Sequence, residues 1–141
     1  MKNFATLMMI ILTALSCTNN LNKETYQSDT SKQVRSIHQI ELKENVDSNE
    51  FETFVFTELV PLYDRIKGLQ LALAKGDRGS RTNKYAMILT FDTIEDRNRI
   101  FPHDGESPED WGDDKIWEKL FSMSSGFGDE TSFTDYVSIS Q

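Results

Sequence analysis

The sequence has 141 residues, of which 38% are hydrophobic and 11% aromatic, a composition typical of one globular domain. Its 15 lysines and arginines are outnumbered by 23 aspartates and glutamates, so the formal net charge is −8. Such a charge argues against nucleic-acid binding and against a polybasic membrane patch, since both need clustered cations. A single cysteine excludes an intrachain disulfide and any metal site built from several cysteines.

Residues 1–16 have the pattern of a secretory signal peptide. Lys2 supplies a positive charge, and residues 4–15 are apolar but too few to span a bilayer. Residues 14–17 read ALSC, which resembles a bacterial lipobox. The resemblance implies that Cys17 is lipidated and becomes the first residue of the mature chain. Ordinary secretion with cleavage nearby is the alternative.

Residues 17–33 are interpreted as the lipidated cysteine and a flexible tether. They contain almost no apolar side chain beyond Cys17, so they cannot bury enough surface to offset the entropy of ordering. A coil of this length spans about 22 Å, which is enough to hold a domain off a membrane surface. We therefore expect a lipid-anchored protein exported to a bacterial cell envelope, with its folded domain over residues 34–141.

Four segments of the domain predict β-strands. In three of them the side chains alternate between two faces, in the manner of strands that expose one face. These are residues 34–42, 69–74 and 132–140. Tyr85–Phe91 is an unbroken β-prone run that is largely apolar on both faces, which indicates burial on both sides. The turn-rich residues 76–83 join the second and third strands as a hairpin.

Three segments predict helices. The first carries an apolar stripe at three- and four-residue spacing over residues 51–66 and opens near Asp47. Pro61 should kink it four residues earlier, where a backbone hydrogen bond is lost. A short second helix follows the N-cap Thr93, and residues 114–123 predict a third, amphipathic one.

The order β-α-β-β-α-β, with the second helical layer broken in two, predicts an α+β fold. It is the ferredoxin-like arrangement, a four-stranded antiparallel sheet with helices on one face. The other face should be too apolar to remain exposed to solvent, because the third strand is apolar on both sides and the leucines of the second strand also need to be buried. A twofold homodimer that closes two sheets face to face is the simplest solution.

Four short motifs carry a resemblance to a known family. They are SIHQIELK at residues 36–43, KGDRG at 75–79, FDTIEDR at 91–97 and IWEKL at 116–120. Together they resemble the dimeric α/β-barrel proteins, in particular the stress-responsive Dabb-type branch, over about residues 34–140. The resemblance implies the fold and the dimer, while the family's activities range from monooxygenases, cyclases and isomerases to pure binding proteins.

His38 is the candidate catalytic residue. In polyketide-cyclase members of the branch, a first-strand histidine lines the cavity and works with a second histidine and a tyrosine, so the resemblance implies a general base here. A neutral imidazole in an apolar pocket can remove an acidic C–H proton without any cofactor. In this sequence Ile100 stands where the tyrosine would be, and the other histidine is His103, in a polar loop. The alternative is a buried strand histidine that is hydrogen-bonded to a neighbour.

Aromatic side chains are candidates for the wall of a pocket that takes an apolar or aromatic ligand. At helix or strand spacing such side chains usually belong to the core. Trp111 instead stands in a polar loop, which favours either a cover over the cavity mouth or a dimer anchor. The candidate pocket residues are Tyr63, Tyr85, Met87, Trp111 and Trp117.

Two charged segments are weaker candidates. Residues 103–114 hold six carboxylates, but their spacing does not match a calcium loop, and acidic groups near a helix N-terminus are favourable without a metal. We therefore predict no metal site. Residues 75–84 hold four cations without a phosphate-binding loop pattern, which predicts a solvated hairpin.

Three functions remain open at this point. The first is an envelope-anchored homodimeric barrel that binds a small apolar or aromatic molecule. The second is a cofactor-independent monooxygenase, cyclase or isomerase that uses His38 as general base. The third is a structural lipoprotein subunit of an envelope complex, whose open sheet face docks another protein.

Overall fold

The structure, a computed structural model, describes residues 31–104 and 106–139. The predicted signal peptide, Cys17 and most of the tether lie outside the described residues. None of the described helices is long and apolar enough to cross a membrane. In chain order the elements are β1 (Val34–Leu42), α1 (Ser48–Phe54), a π-helical turn (Val55–Leu59), α2 (Val60–Tyr63), β2 (Leu69–Lys75), β3 (Tyr85–Phe91), α3 (Ile94–Ile100), α4 (Asp114–Met123), β4 (Ser124–Ser125) and β5 (Phe133–Val137).

The strands form one antiparallel sheet in the order β2-β3-β1-β5, and the two-residue β4 pairs beside the far end of β1. One helical crossover links β1 to β2, and a second links β3 to β5. Each crossover therefore spans one intervening strand, which is the split β-α-β topology of the ferredoxin-like fold. The predicted α+β fold class is confirmed, with β4 as a short addition to the four expected strands.

One face of the sheet is covered by the helices of the same chain. Val34 and Ile40 of β1, Met87 of β3 and Leu69 of β2 are all at most 3% exposed on this face. The helices supply the opposing side chains of the same core cluster, which include Phe51, Phe54, Leu59, Tyr63, Ile100 and Leu120. Burial of this apolar surface is the main stabilising contribution of the domain.

Two of the three leucines of β2 need no cover from a second chain. Leu69 and Leu71 are buried beneath the chain's own helices, because the antiparallel register places them opposite Phe91 and Leu89 on the helix-covered face. The helix-free side of the sheet is consequently less apolar than the sequence pattern predicts.

The helix-free side of the sheet, called the open face below, has a small apolar centre. Ile37 of β1 lies directly opposite Ile88 of β3, and Ala72 of β2 lies on the far side of Ile88. The polar side chains of Arg35 and Gln39 alternate with Ile37 along β1. This face therefore combines a central apolar pair with a polar surround.

Pro61 is accommodated by a change of helix type. The segment Val55–Leu59, immediately before the proline, winds as a π-helix, and the Val60 amide donates to the Val55 carbonyl five residues earlier. A proline has no N–H to offer to the residue four before it. One wider turn at this point lets the chain continue from α1 into α2, and the predicted kink position lies inside that turn.

A tight turn brings the segment between β4 and β5 against the middle of β1. Gly126 has a φ of +95°, and a Cβ at this position would lie 2.1 Å from the Gln39 carbonyl oxygen. The Gln39 amide in turn donates to the Ser132 carbonyl at 2.8 Å. Only glycine allows this approach, and it carries Phe127 and Gly128 over the helix-covered face of the sheet.

Candidate functional site

The helix-covered face of the sheet contains a cavity of about 300 Å³, at the lower end of the range of about 300–1,000 Å³ found for ligand pockets. It lies over β1, β3 and β5, between α3 and the loop that follows β4. The strands contribute Ser36, His38, Leu89, Phe91, Phe133 and Asp135 to its lining, and the flanking segments contribute Arg97, Phe101, Phe127 and Gly128.

The register of β5 assembles the floor of this cavity. Phe133 lies opposite His38, and Asp135 lies opposite Ser36. Side chains directly opposite each other on one face of an antiparallel pair are in contact distance. Two neighbouring strands therefore place an aromatic pair and a polar pair side by side at the cavity.

The His38 ring is held between two phenylalanines. Its centroid lies 4.7 Å from that of Phe127 and 4.9 Å from that of Phe133, and both pairs are stacked. The side chain is 6% exposed. An imidazole in this position is largely removed from water, which disfavours its charged form.

Both ring nitrogens of His38 have hydrogen-bond partners. The Gly128 amide donates to Nδ1 at 3.2 Å, and Nε2 lies 3.0 Å from the Ser36 hydroxyl oxygen. Because Nδ1 is an acceptor, the proton of the neutral ring is assigned to Nε2, which then donates to Ser36. Burial lowers the pKa of His38, and the negative charge of Asp135 raises it in part.

This arrangement does not favour His38 as a general base. The lone pair of the neutral ring lies on Nδ1 and already accepts from Gly128. Ser36 is not activated as a nucleophile either, because Nε2 carries the proton and cannot accept one from the hydroxyl. The geometry favours the alternative of a buried strand histidine that holds its neighbours in place.

Arg97 and Asp135 supply the charges of the cavity. The Arg97 Nη1 donates to Asp135 Oδ2 at 3.1 Å. Among the described residues, the Arg97 Nε is a buried side-chain nitrogen without a hydrogen-bond partner. The rest of the lining is neutral and mostly aromatic, so the cavity combines an apolar wall with one polar corner.

Three of the predicted pocket residues lie in the core instead of the cavity wall. Tyr63, Tyr85 and Met87 are at most 3% exposed, and none of them is among the residues that line the cavity. The Tyr85 hydroxyl donates to the Glu52 carboxylate, and burial raises the pKa of Tyr63. These side chains follow the strand and helix periodicity that is typical of core residues.

Trp111 and Trp117 lie one layer behind the cavity wall. The Trp111 ring stacks on Phe101 at 5.2 Å, and the Trp117 ring stacks on Phe127 at 6.2 Å. The Trp117 indole N–H donates to the Trp111 carbonyl at 2.9 Å, and Tyr63 packs against both tryptophans. The two tryptophans therefore support the phenylalanines that face the cavity.

Phe127 lines the cavity although it was not predicted to do so, and the sequence does contain a signal for it. Phe127 is an aromatic residue between two glycines in a predicted loop, and no helix or strand period accounts for its apolar character. Trp111 has the same feature, an aromatic side chain in a polar loop. Arg97 and Asp135 have no comparable signal, because α3 and β5 bring them together from positions 38 residues apart.

The remaining candidates lie away from the cavity. His103 is exposed in its loop, and Ile100 is fully buried. Within residues 31–104 and 106–139, no group of three or more histidine, cysteine, aspartate or glutamate side chains is arranged to hold a metal ion. Arg81 donates to Glu41 and to the Ile40 and Tyr85 carbonyls, so this hairpin cation braces the end of β1.

Comparison with known proteins adds little. No protein-family model matches the chain, and a search of curated proteins found no match. A similar solved structure is a dimeric protein of unknown function and ferredoxin-like fold from Bacteroides fragilis NCTC 9343. It has a TM-score of 0.46 and 19% identity, and the match covers 75% of this chain and 96% of that chain. A similarity of this size carries no argument about assembly or activity.

We expect His38 to make the free energy of unfolding depend on pH. Its pKa in the folded protein lies below the ordinary value of 6.5, so the unfolded chain binds the proton more readily. The contribution of His38 to the free energy of unfolding should be largest above pH 6.5, and it should fall as the pH drops from there through the folded pKa. Urea denaturation at a series of pH values measures this dependence.

The variant His38→Gln should lose this part of the pH dependence, since it removes the titrating group. His103→Gln is the matched control, because that side chain is exposed in a loop and its removal should leave the decline as in the wild type. An unchanged decline in His38→Gln contradicts the neutral, buried assignment of His38.

Proposed function

We propose that this protein binds a small, mostly apolar molecule in the cavity between the sheet and α3. The observation that carries the proposal is the wall of four phenylalanine rings around about 300 Å³ of space, with polar groups confined to one corner. Such a combination is typical of small-molecule sites, in which apolar surface supplies affinity and a few polar groups fix orientation. The four rings belong to Phe91, Phe101, Phe127 and Phe133.

Binding without catalysis has more support than the enzymatic alternative. A cofactor-independent monooxygenase, cyclase or isomerase of the Dabb type would use His38 as the base. The Nδ1 lone pair that such a base needs is engaged by Gly128, and the resemblance to the Dabb branch rests on sequence motifs alone. Catalysis would require the loop that carries Gly128 to move away from β1.

Filling the cavity should weaken binding. Leu89 lines the cavity, whereas Leu71, its direct cross-strand neighbour on the same face, does not. We expect Leu89→Phe to weaken the binding of indane, a small aromatic hydrocarbon, about tenfold, because the larger ring occupies ligand space. Titration followed by NMR measures the dissociation constant.

Leu71→Phe is the matched control, since it adds the same volume to a buried leucine of the neighbouring strand. It should leave the affinity for indane near that of the wild type, and its thermal unfolding reports the general cost of overpacking. Equal affinities in both variants and the wild type would place the binding elsewhere and count against the proposal.

We also propose a homodimer that forms through the open face. In its support, the Ile37–Ile88 pair lies at the centre of a sheet surface that none of the described helices covers. Twofold packing of this face onto itself would shield both isoleucines from water in each copy. The alternative is that the open face docks a different protein, as in a structural lipoprotein subunit of an envelope complex.

Ile88→Lys should convert the dimer into a monomer, because two ammonium groups would meet at the centre of the interface. Analytical ultracentrifugation measures the mass in solution. Phe121→Lys is the control, since Phe121 is an exposed apolar residue of α4 on the helical side, and this variant should remain dimeric. A monomeric wild-type protein would contradict self-association and favour a different partner.

We further propose that the chain is exported and anchored to a membrane of the bacterial cell envelope through Cys17. The support is the charged Lys2 followed by an apolar segment, the ALSC ending at residues 14–17 and the polar residues that follow it. The tether, residues 17–33, would then separate the lipid from the folded domain.

Cys17→Ser should abolish lipidation and release the protein from the membrane fraction of a bacterial host, because the acylated thiol is lost. Intact-mass measurement and cell fractionation test this outcome. Ser16→Ala keeps a small residue before the cysteine and should remain lipidated. A wild-type protein that carries no acyl chains contradicts the anchor.

A further inference from the structure

The polar corner of the cavity contains an unsatisfied donor. The Arg97 Nε is buried and has no hydrogen-bond partner among the described residues. A buried donor without a partner costs free energy, because it has lost water and gained nothing in exchange. Because Arg97 lines the cavity, a ligand there can supply an acceptor for this donor.

The charges of the corner are already balanced. Arg97 is paired with Asp135 at 3.1 Å, and the burial of His38 keeps that ring neutral near pH 7. The other described residues of the lining are not ionisable. An anionic ligand would therefore lie close to the Asp135 carboxylate and lose its hydration. No unpaired cation in the corner would compensate for that loss.

Given the proposed ligand-binding function, on which this inference rests, we propose that the ligand is a neutral aromatic molecule with a hydrogen-bond acceptor such as a carbonyl oxygen. The flat body lies against the phenylalanine wall, and the acceptor receives the Arg97 Nε–H. The Nε itself is covered, so the guanidinium must turn toward the cavity as the ligand enters. The Arg97 side chain is 36% exposed, which leaves it room to turn.

The Arg97 Nε–H then makes the cavity selective for ligands that carry a neutral acceptor. A hydrocarbon of the same shape fills the apolar wall but leaves the buried N–H unpaired, whereas a carbonyl satisfies it inside a poorly hydrated site. A carboxylate offers a stronger acceptor but places a second negative charge beside Asp135. The neutral carbonyl compound should therefore bind best of the three.

Three probes with one ring skeleton test this order. They are indane, 1-indanone and indane-1-carboxylate, titrated at pH 7 into the wild-type protein and followed by NMR. We expect 1-indanone to bind about tenfold more tightly than either of the others. Chemical-shift changes at Phe101 and Phe127 confirm that binding occurs in the cavity.

Arg97→Lys should abolish the preference for 1-indanone over indane. The ammonium group retains the positive charge opposite Asp135 but has no guanidinium N–H to donate at the Nε position. Arg99→Lys is the control on the same helix, since Arg99 pairs with Glu109 outside the cavity. The control should keep the preference of the wild type.

The outcomes separate the two claims. Equal binding of indane and 1-indanone to the wild type overturns the role of Arg97 and leaves the proposed ligand site intact. Tightest binding of the carboxylate overturns the neutrality of the ligand. If none of the three binds, the proposed function fails and the selectivity inference fails with it.

Discussion

The position of β1 at the centre of the sheet is the constraint on which the rest of the structure depends. This strand pairs with β3 on one side and with β4 and β5 on the other. Its side chains alternate between the helix-covered face and the open face. Val34 and Ile40 therefore belong to the core, while Ser36 and His38 between them reach the cavity. One strand therefore contributes core residues to the packing of the domain and two polar residues, Ser36 and His38, to its candidate site.

His38 links these two roles. Its ring separates Phe127 from Phe133, and its Nδ1 accepts the Gly128 amide, so it fastens the loop after β4 to the middle of β1. That loop can approach so closely because Gly126 has no Cβ. Removal of the imidazole from water is compensated by two hydrogen bonds and two stacked rings. Through these contacts the histidine holds Phe127, Gly128 and Phe133 in place and so shapes one wall of the cavity.

The two faces of the sheet serve different purposes in this interpretation. The apolar residues of the helix-covered face are buried within one chain by α1, α2, α3 and α4, and the cavity lies between the sheet and α3 on this face. The open face has an apolar centre at Ile37 and Ile88 without any cover from the described helices. A ligand and a second copy would lie on opposite sides of the sheet, so each can be tested without disturbing the other.

The sequence by itself determined the strands β1 and β3, the helix α4 and the α+β topology, because alternation and N-caps such as Thr93 act over a few residues. It also placed His38 correctly on a strand, and it left two interpretations of this residue, a general base or a buried, hydrogen-bonded ring. Only the tertiary structure decided which face the β2 leucines occupy and which side chains line the cavity. The physical reason is that Arg97, Phe127 and Asp135 lie far apart along the chain, and they meet through the register of β5 and the close return at Gly126. No local pattern encodes such a register.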